Sequence, residues 1–259
     1  MNNKEIWETK YKDTGDPFHS NNKYDQELID IKLRMMQIGV TDFSKLIVDI
    51  GCGTGDFLLH EHKNFSQAIG VDFSKTMMKQ FSQRIKANKI NNIVLYTGEA
   101  KNIPTGRNQV DFVFSYATLY YIPNVEEVLI EINRVLKPGG IAVLEFGNSW
   151  SFENMISWIT QKIFGWSKHY CINPFKMKSI INRSNLHVIK VRRFQLIPVA
   201  SLPTILSKFF KYFLGVKIKG KMIDEWISNV PILRLFAYRN IYIIQKYVNI
   251  KEIDKEVIN

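Results

Sequence analysis

With 259 residues, 46% of them hydrophobic, the chain is long enough for one large domain, or a domain with an insertion, built around a full core. Its two cysteines, Cys52 and Cys171, lie far apart with no metal-site partner at useful spacing, and His60 and His62 diverge on a helix, which argues against a disulfide framework or a metal. The net charge of +11 points to an anionic partner, while the amino terminus lacks an apolar signal core and no run reaches the ~18 apolar residues of a spanning helix, so the expected setting is the reducing cytoplasm.

Residues 1–45 are a polar lead, read as a helical lid. Its helix runs near Gln26 to Gln37, with Leu28, Ile31, Met35 and Ile38 close to helical spacing. Trp7 and Tyr11 either pack on that lid or line it. Leu46–Ile50 is an apolar run that reads as a buried strand. Gly51, Gly53 and Gly55 then turn the backbone where side chains would block a ligand, and Phe57-Leu58-Leu59 opens a helix. Asp72 ends a second strand, 23 residues after Asp49. An acid near that spacing is where a doubly wound sheet grips ribose hydroxyls, so the ligand is expected to carry a nucleoside. For the glycines alone, a tight turn with no ligand is the alternative. A dinucleotide is disfavoured because the third glycine comes one residue early and Asp56 takes its place. An acid there suits a ligand with a cationic end.

Asn92 to Tyr96 is a third strand, leading into Gly98-Glu99-Ala100-Lys101-Asn102-Ile103-Pro104. Val110–Ser115 is a fourth, followed by Tyr116-Ala117-Thr118-Leu119-Tyr120-Tyr121-Ile122-Pro123. Glu127 to Leu136 has the apolar spacing of a helix, Pro138-Gly139-Gly140 is expected to stop it, and Ile141–Phe146 is a fifth strand. Strands alternating with helices predict a parallel sheet with right-handed crossovers.

At VDIGCGTG, GVDFS, GEAKNIP, DFVFSYATLYYI and RVLKPGG, residues 40–148 resemble class I S-adenosylmethionine-dependent methyltransferases of the small-molecule kind, similar to the methyltransferase type 11/25 group. The resemblance implies an α/β fold, a doubly wound seven-stranded Rossmann-like sheet whose last strand runs antiparallel between strands five and six. It makes residues 46–148 the cofactor-binding core. It also implies S-adenosyl-L-methionine as cofactor. Asp49 and the backbone at Gly51, Cys52, Gly53 and Gly55 would hold the methionine end, and Asp72 would take the ribose hydroxyls. Phe73 would stack beside adenine, Glu99 and Ala100 would meet its edge, and Ser115 and Tyr116 would lie beneath the cofactor. Relatives more often carry Asp at the Glu99 position. No catalytic base is legible. Tyr120 and Tyr121 stand where many relatives have His, a Tyr with a pKa near 10 is a poor base at neutral pH, and His169 is a further candidate. Methyl transfer is an in-line displacement that needs alignment more than a strong acid.

Residues 149–259 are the substrate-side half, where the resemblance fades. Helices are expected at Phe152–Phe164 and Pro174–Arg183, strands at His187–Ile197 and Arg239–Tyr247, and a helical insertion at 198–238. In Pro203–Leu214, Ile205, Leu206, Phe209, Phe210 and Phe213 fall on one face and Ser207, Lys208 and Lys211 on the other. Phe209, Phe210 and Phe213 are expected to shape an apolar acceptor wall. Residues 1–147 hold 17 Lys/Arg against 18 Asp/Glu, residues 148–259 hold 18 against 6, and no acid falls between Glu153 and Asp224. A solvated basic surface is one reading. The other is contact with an anionic membrane surface through 203–221, peripheral on its inner face. The acceptor is expected to be a small or lipid-linked molecule, such as a quinol, a lipid or a lipid-carried glycan, with an anionic group. The quinol suggestion comes from Val143–Phe146, similar to the fifth strand of quinone methylases. RNA methylation is the alternative raised by the basic half, though strand four lacks the [DNS]-P-P-[YFW] run that amino-methylating enzymes of bases use. A non-catalytic cofactor-binding partner subunit is the second alternative.

Overall fold

The computed structural model describes residues 22–38, 45–164 and 168–248, with the backbone alone over 160–164. Trp7 and Tyr11 therefore lie outside the described residues. Seven strands form one sheet: β1 (Leu46–Ile50), β2 (Gln67–Asp72), β3 (Ile93–Thr97), β4 (Val110–Ser115), β5 (Leu136–Gly147), β6 (Leu186–Phe194) and β9 (Arg239–Lys246). Their order is β3-β2-β1-β4-β5-β9-β6. The β1–β2, β1–β4, β2–β3 and β4–β5 pairs are parallel, and β9 is antiparallel to both β5 and β6. This is the sheet the motifs imply. β1 and β4 are buried on both faces, which is why they read as continuous apolar runs.

Helices α1 (Lys23–Met36), α2 (Asp56–Glu61), α3 (Lys75–Ala87), α4 (Val125–Val135), α5 (Phe152–Phe164) and α6 (Pro174–Arg183) cover the two faces or the carboxyl end. Local signals set their starts. The Ser74 hydroxyl accepts from the Met77 amide at 3.2 Å to cap α3, and Asn173 caps α6 in the same way ahead of Pro174. One apolar cluster packs α1 against the sheet through Tyr24, Ile31 and Met35, and the other packs α4 and α6 on the opposite face through Leu129, Ile132 and Ile181.

Two boundaries differ from the sequence reading. α4 ends at Val135, before Pro138, because β5 begins at Leu136 opposite Val110. Its last carbonyls are satisfied from elsewhere: the amides of Asn108 and Gln109 donate to Arg134 and Val135, and the Lys246 ammonium donates to Asn133 and Leu136. Residues 198–238 are not wholly helical. They comprise α7 (Thr204–Leu214), a small hairpin of β7 (Lys217–Ile218) and β8 (Lys221–Met222) turning at Gly220, then α8 (Ile223–Ile227) and a 3₁₀ turn at Leu233–Leu235.

The faces of α7 also differ from the expectation. Ser207, Phe210, Lys211 and Leu214 point toward the protein, where Ser207 donates to the Val199 carbonyl and Lys211 pairs with Asp25 at 2.8 Å. Ile205, Leu206, Phe209, Tyr212 and Phe213 point outward. Simple polarity misassigned Lys211 and Phe210, because two acids of α1, Asp25 and Glu27, draw Lys211 and Lys217 inward. Among the described residues no helix is long and apolar enough to cross a membrane.

Candidate functional site

A cavity of about 760 Å³ opens at the carboxyl ends of β1, β2, β3 and β4. That is where an open α/β sheet binds ligands, beside its switch in strand order. Its floor is the turn after β1, with Gly51 at φ +74°, Gly53 at +53° and Gly55 at +83°. Gly51 has a second reason to lack a side chain: a Cβ there would lie 2.1 Å from the Thr118 hydroxyl. The amides of Gly51 and Cys52 both donate to the Val71 carbonyl, tying the turn to β2.

Asp72 closes that side. Its two oxygens accept the amides of Gly53 at 3.0 Å and Ser74 at 2.8 Å, which fixes the carboxylate's orientation toward the cavity rim. Asp49 is buried within the cavity wall, and among the described residues no hydrogen bond or ion pair engages it. Burial pushes its carboxyl well above the usual range, and the charges of Asp72 and Asp56 add to that. Such a group calls for a cation. Asp56, by contrast, is already paired with the Arg84 guanidinium and the Thr54 hydroxyl. The cationic pull expected of Asp56 therefore rests on Asp49.

Of the residues singled out from the sequence, Asp49, Gly51, Cys52, Gly53, Asp72, Phe73, Glu99, Ala100, Tyr116 and Tyr121 line the cavity. Gly55, Ser115, Tyr120 and His169 do not. Gly55 precedes α2, where its missing Cβ leaves room for the Phe81 ring. Ser115 is fully buried and donates to the Ile50 carbonyl at 2.7 Å, so its hydroxyl joins β4 to β1 and faces away from the ligand space. Tyr120 is buried outside the cavity lining, and burial raises its phenol well above 10. His169 stands edge-on to Tyr120 and Tyr121, with Nδ1 3.1 Å from the Tyr238 hydroxyl. Burial, then Arg239, lowers its pKa to about 4. Phe209, Phe210 and Phe213 are absent from the cavity. The apolar wall is instead Phe57, Tyr116, Tyr121 and Tyr170.

Sequence reasoning missed the support beneath that wall. Glu145, at the end of β5, is fully buried and accepts from Lys32 at 2.8 Å, from Arg239, and from the Ala117 amide at 3.2 Å. Burial alone would raise its pKa, but Lys32 and Arg239 outweigh that and hold it at about 2. Ala117 is thereby kept at φ +56°, the strained step that turns Tyr116 toward α1. No local pattern marks Glu145, since its partners are 113 and 94 residues away in the chain.

Comparisons with known proteins agree with this geometry. Residues 48–144 match the family described as "Methyltransferase domain". The chain is 37% identical over 112 residues to the demethylmenaquinone methyltransferase of Staphylococcus saprophyticus, covering 42% of this chain and 47% of that protein. It spans about half the length of the curated relatives it matches. Among solved structures, Haemonchus contortus phosphoethanolamine N-methyltransferase 2 with S-adenosyl-L-methionine has a TM-score of 0.64 at 19% identity, covering 95% of this chain and 60% of that one. Geranyl diphosphate C-methyltransferase from Streptomyces coelicolor, with S-adenosyl-L-homocysteine, has a TM-score of 0.62 at 15% identity, covering 90% and 86%. Those identities speak for the fold alone. The sheet order, the acid that ends β2 and the matched stretch converge on one conclusion: residues 48–144 are a class I S-adenosylmethionine-dependent methyltransferase domain.

Proposed function

We propose that the chain transfers a methyl group from S-adenosylmethionine to a small, lipid-linked acceptor of the quinol type. The observation that carries the reading is the composition of the cavity. Its lining holds buried Asp49, without a partner among the described residues, and the oriented Asp72 carboxylate, together with the rings of Phe57, Tyr116, Tyr121 and Tyr170. The acids fit a cationic amino-acid nucleoside, and the rings fit a flat apolar ring. The names of the curated relatives point the same way for the acceptor.

S-adenosylmethionine supplies an activated methyl group whose departure leaves a neutral thioether. Asp49 faces the positive end of the donor, and Asp72 accepts from the ribose hydroxyls. Phe73, Glu99 and Ala100 line the sector that would receive adenine. Tyr116, fixed by its hydroxyl bond to the Lys32 carbonyl, and Tyr121 hold the acceptor ring in line with the methyl. Burial, with the charges of Glu145 and Asp49, raises the Tyr116 phenol well above its ordinary 10, so it offers no base at neutral pH. The acceptor supplies its own electron density, as a quinol ionised at one hydroxyl does. A lipid-linked acceptor brings the protein to a membrane surface.

The test supplies isotopically labelled donor to reduced demethylmenaquinone with a short side chain, to total lipid extract and to total RNA in parallel. Label in the quinol or lipid supports the reading. Label in RNA alone means the basic half is a nucleic-acid footprint, and no label anywhere, with donor bound, means a cofactor-binding subunit without catalysis.

A further inference from the structure

The three acids between residues 148 and 248 are Glu153, Asp224 and Glu225, and all three are buried. Glu153 accepts from Gln195 and Ser201, Asp224 from Tyr24, Ser228 and the Gln195 amide, and Glu225 takes both arms of the Arg192 guanidinium. The surface of this half therefore carries no carboxylate from the described stretch, while Lys208, Lys219, Lys221 and Arg234 are exposed.

Exposed apolar side chains also lie at the end of the sheet from which α5 and α7 emerge. α5 follows β5, which ends at Gly147, and α7 follows β6, which ends at Phe194. Both of those residues pair with Arg239 of β9, so both helices emerge from the end of the sheet that holds the cavity. Glu153 of α5, bonded to Gln195 and Ser201, ties the start of one helix to the approach of the other. Phe152 stacks on Phe236 at 5.5 Å, bringing in the segment before β9. Outward from these elements stand Met155 and Ile159 on α5, Ile205, Phe209 and Phe213 on α7, and Ile232. Ile205 is 84% exposed and Phe209 65%.

Ile232 is the most telling of these. It sits at φ +73°, ψ −57°, and the Leu233 amide donates to the Pro231 carbonyl across it at 3.0 Å. That is a γ-turn of the strained hand, and a β-branched residue is among the worst suited to it. The strain buries nothing, since the side chain is 73% exposed. An isolated soluble chain gains nothing from a strained isoleucine pointing into water. A layer that takes up its side chain would.

We propose that α5, α7 and the Pro231–Leu233 turn form a docking surface for an anionic lipid bilayer, with Ile232 as its inserted tip. The proposal rests on the lipid-linked acceptor reading, and it places the cavity end of the sheet on the leaflet that holds the acceptor. Met155, Ile159, Ile205 and Ile232 are aliphatic and suit acyl chains, whereas bases stack on aromatic rings such as Phe209 and Phe213, which makes RNA the competing occupant to test. Lys208, Lys219, Lys221 and Arg234 supply the attraction to phosphate headgroups.

The experiment is co-sedimentation of the full chain with vesicles of phosphatidylglycerol and phosphatidylcholine in equal parts, with pure phosphatidylcholine vesicles and poly(U) RNA as the other arms. The anionic vesicles should bind the chain, and salt should weaken that binding. Ile232→Gly and Phe209→Ser, made separately, should each weaken it by about tenfold or more while S-adenosylhomocysteine affinity stays unchanged. Ile232→Gly suits the turn, so loss of binding there does not reflect misfolding. Absence of wild-type binding, variants that bind as tightly as the wild type, or a preference for poly(U) would overturn the proposal. Its failure is distinct from failure of the acceptor reading, because the vesicles hold no acceptor and the short-chain quinol assay holds no bilayer.

Discussion

Lys32, on α1, sets its ammonium 2.8 Å from the carboxylate of Glu145 at the end of β5, and both side chains are buried. Arg239 completes the cluster from β9. Glu145→Gln leaves two cations without their counter-charge in a dry site, so the variant should lose about 3–5 kcal/mol of stability. Urea unfolding at pH 7 checks this. Because burial is offset by Lys32 and Arg239, the folded pKa lies near 2 against 4.5 for the ordinary group. The stabilisation is therefore complete above pH 4.5 and lost as pH falls toward 2, a loss on the order of 3 kcal/mol that the Gln variant lacks.

His169 titrates in a separate window. Its pKa is lowered from 6.5 to about 4 by burial and by Arg239, so the folded chain holds it neutral. Its contribution is present above pH 6.5 and declines as pH falls from 6.5 to 4, where unfolding lets it take a proton. His169→Asn should flatten the stability profile of the wild type between pH 6.5 and 4.5. An unchanged slope in that interval would show that another group is responsible.

The carboxylates around the glycine turn should separate by role. Asp72→Ala removes the proposed acceptor for the ribose hydroxyls and should weaken S-adenosylhomocysteine binding by about tenfold or more, read by calorimetry. Asp49→Asn should weaken binding of S-adenosylmethionine more than that of S-adenosylhomocysteine, because only the former carries the sulfonium charge. Asp56→Asn should cost stability through Arg84 and leave both affinities nearly unchanged.

At the aromatic wall, Tyr121→Ala and Tyr170→Ala should raise the KM for a short-chain quinol with little change in donor affinity. Tyr116→Phe keeps the ring and loses the 2.9 Å bond to the Lys32 carbonyl. It should cost about 1 kcal/mol of stability and affect turnover less than either Ala variant. Steady-state kinetics with each substrate varied in turn separates these outcomes.

The sheet and the glycine-turn lining of the cavity were legible because their signals are local. The glycine turn, Asp49 and Asp72 fall within 24 residues, and each acts through spacing and backbone geometry. What was not legible depends on contacts distant in sequence. Ser115 reads as a ligand group until its hydroxyl is seen on Ile50, and Glu145 reads as one more strand residue until Lys32 and Arg239 arrive. α7 has a strong amphipathic pattern, yet which face turns inward was decided by Asp25 and Glu27 near the start of the described chain. A γ-turn at Pro-Ile-Leu has no sequence signature, since the residues that favour positive φ are absent from it.

The position of β9 governs the order in which the sheet can be completed. β6 has β9 as its sheet neighbour, and β9 wedges between β5 and β6 although it follows both in the chain. During synthesis β5 therefore presents an open edge, and β6 has no strand to join, until residues 239–246 leave the ribosome. Lys246, which satisfies the last carbonyls of α4, arrives at the same moment. β6 thus waits on β9, and the outer edge of β5 is open to wrong partners in the meantime. A chain cut short before Arg239 should retain β1 to β5 as a parallel unit but aggregate through the open edge of β5, however well its glycine turn is formed.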